Sequence, residues 1–393
     1  VRRLASVLSL VFAGAVFAAP DEEALGKSQG YPVCPAWQRS AQHCLVGLFS
    51  HYDQAVPARK VAKGAWVLPL KRAASEPDLG VDRFLQRFRN TGLLVLKGDT
   101  VLAERYQYDR KPEHRFTSMS MAKTIVAMLV GIAVSEGKIS SIDDRADKYV
   151  PELAGHPYGE TSLRHLLTMS SGVKFTEEYD GKDDVSILGA KTFGQQGPGG
   201  VDTVADFRTR ARPAGEKFHY ASAETQVLAL VLRAAAGSNL SEYLSEKIWQ
   251  PMGAEADATW LIDRAGYEVG FAGLNATLRD WGRLGLLLAN DGALEGRQII
   301  PAEWVRAATT PEAPHQKVGV ATRYNGYGYQ TWLISERARQ FALLGVRGQA
   351  VFVDPSLKLV IVHTAVHASP RDRESRSEQF RFFYSTLKTL SQP

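Results

Sequence analysis

Cysteine is almost missing from this 393-residue chain: Cys34 and Cys44 are the only two. Neither Cys-x-x-Cys nor His-Glu-x-x-His occurs, so no metal site and no metal cofactor are expected. Beyond residue 19 no apolar stretch approaches the roughly 20 residues that span a bilayer. Charge of one sign is not concentrated either. The formal net charge is +5, two units of which come from Arg2 and Arg3, and the Arg371 to Arg376 stretch is broken by Asp372 and Glu374. Such a surface gives no footprint for nucleic acid.

What is present is ordinary globular composition, 45% hydrophobic and 23% charged. Residues 1–19 have a charged start, an apolar middle and the small-residue end Phe17-Ala18-Ala19 of a secretory signal peptide. Cleavage there would leave an exported chain, periplasmic or secreted, without a stable membrane anchor. In an oxidising compartment Cys34 and Cys44 are expected to form one disulfide. Six prolines between residues 20 and 80 and little helical periodicity suggest an extended segment wrapped on the main body.

From residue 81 the pattern is that of one hydrolase domain, 81–393. Leu93 to Leu96 and Val101 to Tyr106 read as a hairpin around Gly98-Asp99, and Met121 to Ser135 as a buried helix. The stretch 136–309 is helix-rich, with a helix over Ala223 to Ala235 and another after the capping sequence Thr277-Leu278-Arg279-Asp280. Strands return at Tyr327 to Ile334, Phe341 to Gly345, Gln349 to Val353 and Leu359 to Thr364, followed by a helix over Gln379 to Leu390. The expected class is therefore α+β: an antiparallel sheet from 81–135 and 310–393, flanked by helices, with the helical subdomain 136–309 inserted.

Ser-x-x-Lys occurs four times, at Ser120/Lys123, Ser135/Lys138, Ser171/Lys174 and Ser385/Lys388, so spacing alone selects none. Only the first pair opens a strongly apolar helix after a polar loop. Residues three apart share a helix face, so Lys123 can reach the Ser120 hydroxyl, and an apolar surround lowers a lysine's pKa toward that of a useful base. The plain alternative is a helix start with an exposed lysine.

Ser120-Met121-Ala122-Lys123, Tyr220-Ala221-Ser222 and Gly345-Val346-Arg347-Gly348-Gln349 resemble, in order and approximate spacing, the three motifs of the serine β-lactamase/penicillin-binding-protein family. More narrowly the chain is similar to the class C-like esterase and amidase branch that includes the 6-aminohexanoate-dimer hydrolases. The resemblance runs from about residue 85 to 390. It implies the β-lactamase/transpeptidase-like fold, Ser120 as nucleophile, Lys123 and Tyr220 as bases, and an oxyanion hole from the Ser120 and Gln349 backbone N–H groups. In that scheme a neighbouring ammonium favours the Tyr220 phenolate.

Val346-Arg347-Gly348 stands where lactamases and peptidases of this family carry Lys-Thr-Gly, and Ser222 where class C lactamases carry asparagine. Both departures suit the oligomer-hydrolase branch. By the same match Tyr179 would bond the substrate amide, with a surface loop tyrosine as the alternative. Ser222 would line the site, Gly348 would let substrate approach the strand, and Arg347 would pair with a substrate carboxylate or else lie in solvent. The implied activity is hydrolysis of a small linear amide or ester through an acyl-Ser120 intermediate, without a cofactor. The alternatives are a D-alanyl-D-alanine peptidase or class C-type β-lactamase, and a catalytically silent penicillin-recognition module.

Overall fold

Residues 19–194 and 196–391 are described by the computed structural model. The leader-like residues 1–18 lie outside that range. In chain order the strands are β1 (Ala58–Val61), β2 (Lys71–Arg72), β3 (Asn90–Lys97), β4 (Thr100–Tyr106), β5 (Phe116–Thr117), β6 (Ala258–Leu261) and β7 (Leu274–Ala276). They continue with β8 (Ala293–Leu294), β9 (Arg297–Gln298), β10 (Gly326–Tyr327), β11 (Trp332–Ser335), β12 (Gln340–Gly345), β13 (Gln349–Asp354) and β14 (Leu359–Ala365). The large sheet has the order β10-β11-β12-β13-β14-β3-β4-β2, so the hairpin near residue 98 joins strands from the far end of the chain. Its pairings are antiparallel except for β2 on β4.

Apolar residues on the central strands feed two cores with period two. Leu94, Leu96, Val351, Val353, Val360 and Val362 join the main core, whereas Leu93, Val95, Ala350, Phe352, Leu359 and Ile361 join a second one. Near-continuous apolar strands are what a sheet covered on both faces requires. One cover is the helix Leu278–Ala289, which contacts β3, β13 and β14. The other is the C-terminal helix Arg373–Leu390, whose Phe382, Phe383 and Leu387 lie in the second core. This helix starts six residues before the expected Gln379, because Asp372 accepts from the Ser375 N–H and caps it.

The expected partition changes in three places. The stretch 136–309 is not purely a helical insert: it supplies β6 and β7, and its helix Leu278–Ala289 covers the large sheet. Residues 20–80 are not simply extended, since Leu45–Ser50 is a fully buried helical turn and β1 and β2 are edge strands of the two larger sheets. An apolar run of this length is too short for its period to be read. The expected strand Tyr327–Ile334 is split, with Gln330 at a left-handed φ of 51° between β10 and β11. In the N-terminal segment Cys34 is disulfide-bonded to Cys44, with Cα atoms 5.5 Å apart.

The four-stranded sheet β1-β6-β7-β5 matters most for position. Its edge strand β5 pairs with β7 through Phe116 and Thr117. Immediately beyond, Ser118 exchanges bonds with Leu274: its N–H donates to the Leu274 carbonyl, and the Leu274 N–H donates to its Oγ. Four residues later in chain direction the long buried helix Ala122–Ser135 begins.

Candidate active site

Ser120 sits in a single 3-10 turn, Met119–Met121, between β5 and that helix. Met119 has a φ of 43°, a strained setting for a non-glycine residue of the kind that gathers at functional sites. Lys123, one turn on, is 1% exposed, and its Nζ donates to Ser120 Oγ at 2.9 Å and to the Phe271 carbonyl at 3.0 Å. The Tyr220 ring centroid lies 5.2 Å from Lys123 Nζ, and its phenol is within the electrostatic influence of the Ser120 hydroxyl. The three side chains expected to converge are therefore gathered around Lys123, with the amine bonded to Ser120 and close to the Tyr220 ring.

Three distant elements hold this arrangement. Gln330 is buried and receives the Thr225 hydroxyl on its side-chain oxygen, while its backbone carbonyl accepts from Thr124. Its Nε2 donates to the Leu166 carbonyl. One residue, through its backbone carbonyl and its side chain, thereby ties the Lys123 helix to the helix Ser222–Ala236 that follows Tyr220. Met169 anchors the approach to Tyr220: its carbonyl accepts from His219 N–H at 2.7 Å and its sulfur from Ala221 N–H at 3.3 Å. Trp332 stacks on the Tyr220 ring with centroids 5.4 Å apart, and Tyr327 meets it edge-on at 6.0 Å. No spacing in the sequence signals Gln330 or Trp332, because each works from a different strand or turn.

Burial lowers the Lys123 amine to about 8, and Glu177 opposes part of that fall by favouring the ammonium. Tyr220 moves the other way. Burial first, and then the Glu177 carboxylate, push its phenol above the ordinary tyrosine range, against smaller pulls from the Ser120 hydroxyl and Arg371. The expected phenolate is thus disfavoured: Lys123 is the group with base character near neutrality, and Tyr220 stays a phenol. The start of a helix beside Ser120 adds partial positive charge where an alkoxide or oxyanion would develop.

β12 and β13 flank the nucleophile turn, and Gln349 is the first residue of β13. Gly345 permits this contact: a Cβ there would lie 2.6 Å from the Ser118 carbonyl oxygen. The Gln349 side chain turns inward, donating to the Ala365 carbonyl at 2.6 Å.

Arg347 and Gly348 depart from expectation. Arg347 is 7% exposed and donates to the carbonyls of His367 (2.7 Å) and Ala368 (2.9 Å), so it is neither solvated nor free for a carboxylate. Its φ of 57° turns it into the gap where β14 ends and leaves carbonyls without ladder partners. At Gly348, φ is 94° and a Cβ would strike the His367 ring at 2.4 Å. Glycine is needed there for the turn and for His367, not for substrate access.

Ser222 is also corrected. It is buried, and both its N–H and its hydroxyl donate to Glu177 at 2.9 Å. Tyr179 is half-buried with Arg371 5.3 Å from its ring centroid, and its hydroxyl donates to Glu177 at 2.6 Å. With that proton engaged, the Tyr179 oxygen can only accept from a substrate. Glu177 was part of the Glu177-Glu178-Tyr179 run in the sequence, yet nothing in the run distinguishes it from its exposed neighbour.

A family model described as Beta-lactamase matches residues 81–380. The 6-aminohexanoate-dimer hydrolase of Paenarthrobacter ureafaciens is 28% identical over 366 residues, covering 88% of this chain and 91% of that protein. Among solved structures, "Putative 6-aminohexanoate-dimer hydrolase from Bacillus anthracis" superposes with a TM-score of 0.80 at 24% identity, covering 89% of this chain and 96% of the other. A penicillin-binding protein homolog from Caulobacter crescentus has a TM-score of 0.60 at 15% identity, covering 81% and 99%. At these identities the two structures bear on the fold, which is the β-lactamase and penicillin-binding-protein arrangement.

Proposed function

Since the chain belongs to the beta-lactamase family and is a serine hydrolase of that family, we propose that it cleaves a small linear amide or ester through a covalent acyl-Ser120 intermediate. The observation that carries this reading is a buried amine, poised near 8, in hydrogen-bond contact with a hydroxyl at a helix start. As the free amine, Lys123 accepts the Ser120 proton while an N–H still donates to Phe271. The alkoxide attacks the carbonyl, and the Ser120 and Gln349 N–H groups receive the oxyanion. Tyr220, beside Lys123, gives its proton to the leaving nitrogen or oxygen and is reprotonated from the Lys123 ammonium. Water then repeats the sequence in reverse and releases the acid, so every proton is accounted for by these side chains and water.

A linear amide is favoured by the 28% identity to a 6-aminohexanoate-dimer hydrolase over most of both chains. It is also favoured by Tyr179, whose acceptor-only oxygen suits an amide N–H. The leader-like residues 1–19, the disulfide segment 20–80 and the hydrolase domain 81–393 fit an exported enzyme. Among the described residues no helix is long and apolar enough to cross a membrane.

The test is a side-by-side rate comparison on a 6-aminohexanoate dimer, short-chain p-nitrophenyl esters and a chromogenic cephalosporin. The expected result is turnover of the esters and the dimer, with the cephalosporin slower by about 10²-fold or more. Turnover of the cephalosporin alone, or stable acylation by labelled penicillin with slow release, would assign the chain to the lactamase or peptidase side of the family instead.

A further inference from the structure

Glu177 is a carboxylate at 5% exposure with no basic side chain bonded to it among the described residues, an unusual arrangement. Its partners are instead three donors: the Tyr179 hydroxyl at 2.6 Å, and the Ser222 N–H and hydroxyl, both at 2.9 Å. Ser222 opens the helix that follows Tyr220, so the carboxylate also sits at a helix start, where negative charge is favoured. Around it lie Lys123 from the nucleophile helix, Tyr220, Tyr327 of β10 and Tyr158, all within its electrostatic reach. From the loop after β14, Arg371 acts on Tyr179 and Tyr220. Glu224 acts on Tyr327 and Tyr158. Glu177 is the charge that acts on Lys123.

We propose that Glu177 is a positioning residue of this site: its carboxylate fixes Tyr179 as a hydrogen-bond acceptor toward substrate, and supplies the negative charge that Lys123 and Tyr220 face. The inference rests on the acyl-Ser120 reading above. Its consequence for Tyr179 is directional. A phenol whose proton is held by Glu177 offers lone pairs outward, which recognises an amide N–H and gains nothing from an ester oxygen. Its consequence for Lys123 is a matter of sign. The carboxylate favours the ammonium, so removing its charge makes the free amine available at lower pH.

The experiment compares the parent with Glu177→Gln, Glu177→Asp and Tyr179→Phe in the full chain. It records kcat/KM against pH on a p-nitrophenyl ester, the amide-to-ester ratio, and fluorophosphonate labelling of Ser120. In E177Q the acid limb of the profile is expected to move down by about one pH unit, and the amide-to-ester ratio to fall about tenfold, because a glutamine can turn its N–H toward the phenol. E177D keeps the charge and is expected to return the limb to the parent position. Y179F is expected to lower the amide-to-ester ratio and leave the limb where it was. An unmoved limb in E177Q with Ser120 still labelled would overturn this proposal alone; a label elsewhere in the parent would overturn the underlying reading and this one with it. A limb that moved as far in Y179F would also contradict it, since the charge would not be the cause. Where E177Q does not fold, E177D and Y179F still decide: a limb displaced by about a unit in Y179F, or in E177D with its charge kept, would contradict the proposal, and unmoved limbs with a lowered amide-to-ester ratio in Y179F would support it.

Discussion

Replacing Ser120 by alanine is expected to lower kcat on the best ester or amide by about 10⁴- to 10⁶-fold. The size follows from the role. Lys123 and Tyr220 serve the Ser120 oxygen, and removing that oxygen leaves a base and a proton donor with nothing to activate. Residual activity would come from binding and from oxyanion stabilisation of attack by water. Stability should hardly change, because Ser120 is only half-buried and its loss opens no large cavity. Kinetics on both substrate classes, with a thermal melt of each variant, check this. A variant within tenfold of the parent would remove Ser120 from the chemistry.

Lys123 carries the second large effect, and it is a statement about pH. Burial lowers the amine to about 8, and the productive form is the free base. Below that pH the ammonium predominates, and kcat/KM should fall tenfold per unit; above it the rate should level off. A carboxylate base would give a limb of the same sign but several units lower, so the position of the limb is what identifies the amine. Lys123→Met is expected to lose about 10²- to 10⁴-fold and to lose the limb near 8. Lys123→Arg should not rescue, because a guanidinium keeps its proton throughout this range. A parent profile flat from pH 6 to 9 would contradict the assignment.

Much of this was legible in the residues because local rules and long-range rules agreed. The hairpin at Gly98-Asp99, the apolar strands after residue 340 and the helix after Ser120 each follow from periodicity and turn chemistry, and all three form. Ser120, Lys123 and Tyr220 could be selected because three motifs in a fixed order are far more specific than one Ser-x-x-Lys among four.

What could not be read depends on which side of a strand or turn a residue faces. Arg347 and Gly348 lie in the right motif, yet a positive φ at both sends one onto the His367 and Ala368 carbonyls and makes the other a seat for the His367 ring. Ser222 follows Tyr220 by two residues but faces Glu177 rather than the cleft, because it is the helix start that the carboxylate holds. The phenolate expected at Tyr220 is disfavoured for a related reason: burial, and after it the Glu177 carboxylate, raise the phenol, and part of that enclosure comes from Trp332 and Tyr327 some hundred residues away. Gln330 belongs to the same class, a single residue whose backbone carbonyl and side-chain amide together join three elements.

The most direct test of the whole account is fluorophosphonate labelling of the intact protein followed by peptide mapping. One adduct per chain, on the peptide containing Ser120 and absent after Ser120→Ala, is the predicted result. An adduct on Ser135, Ser171, Ser385 or any other residue, or no adduct from an actively hydrolysing preparation, would contradict it.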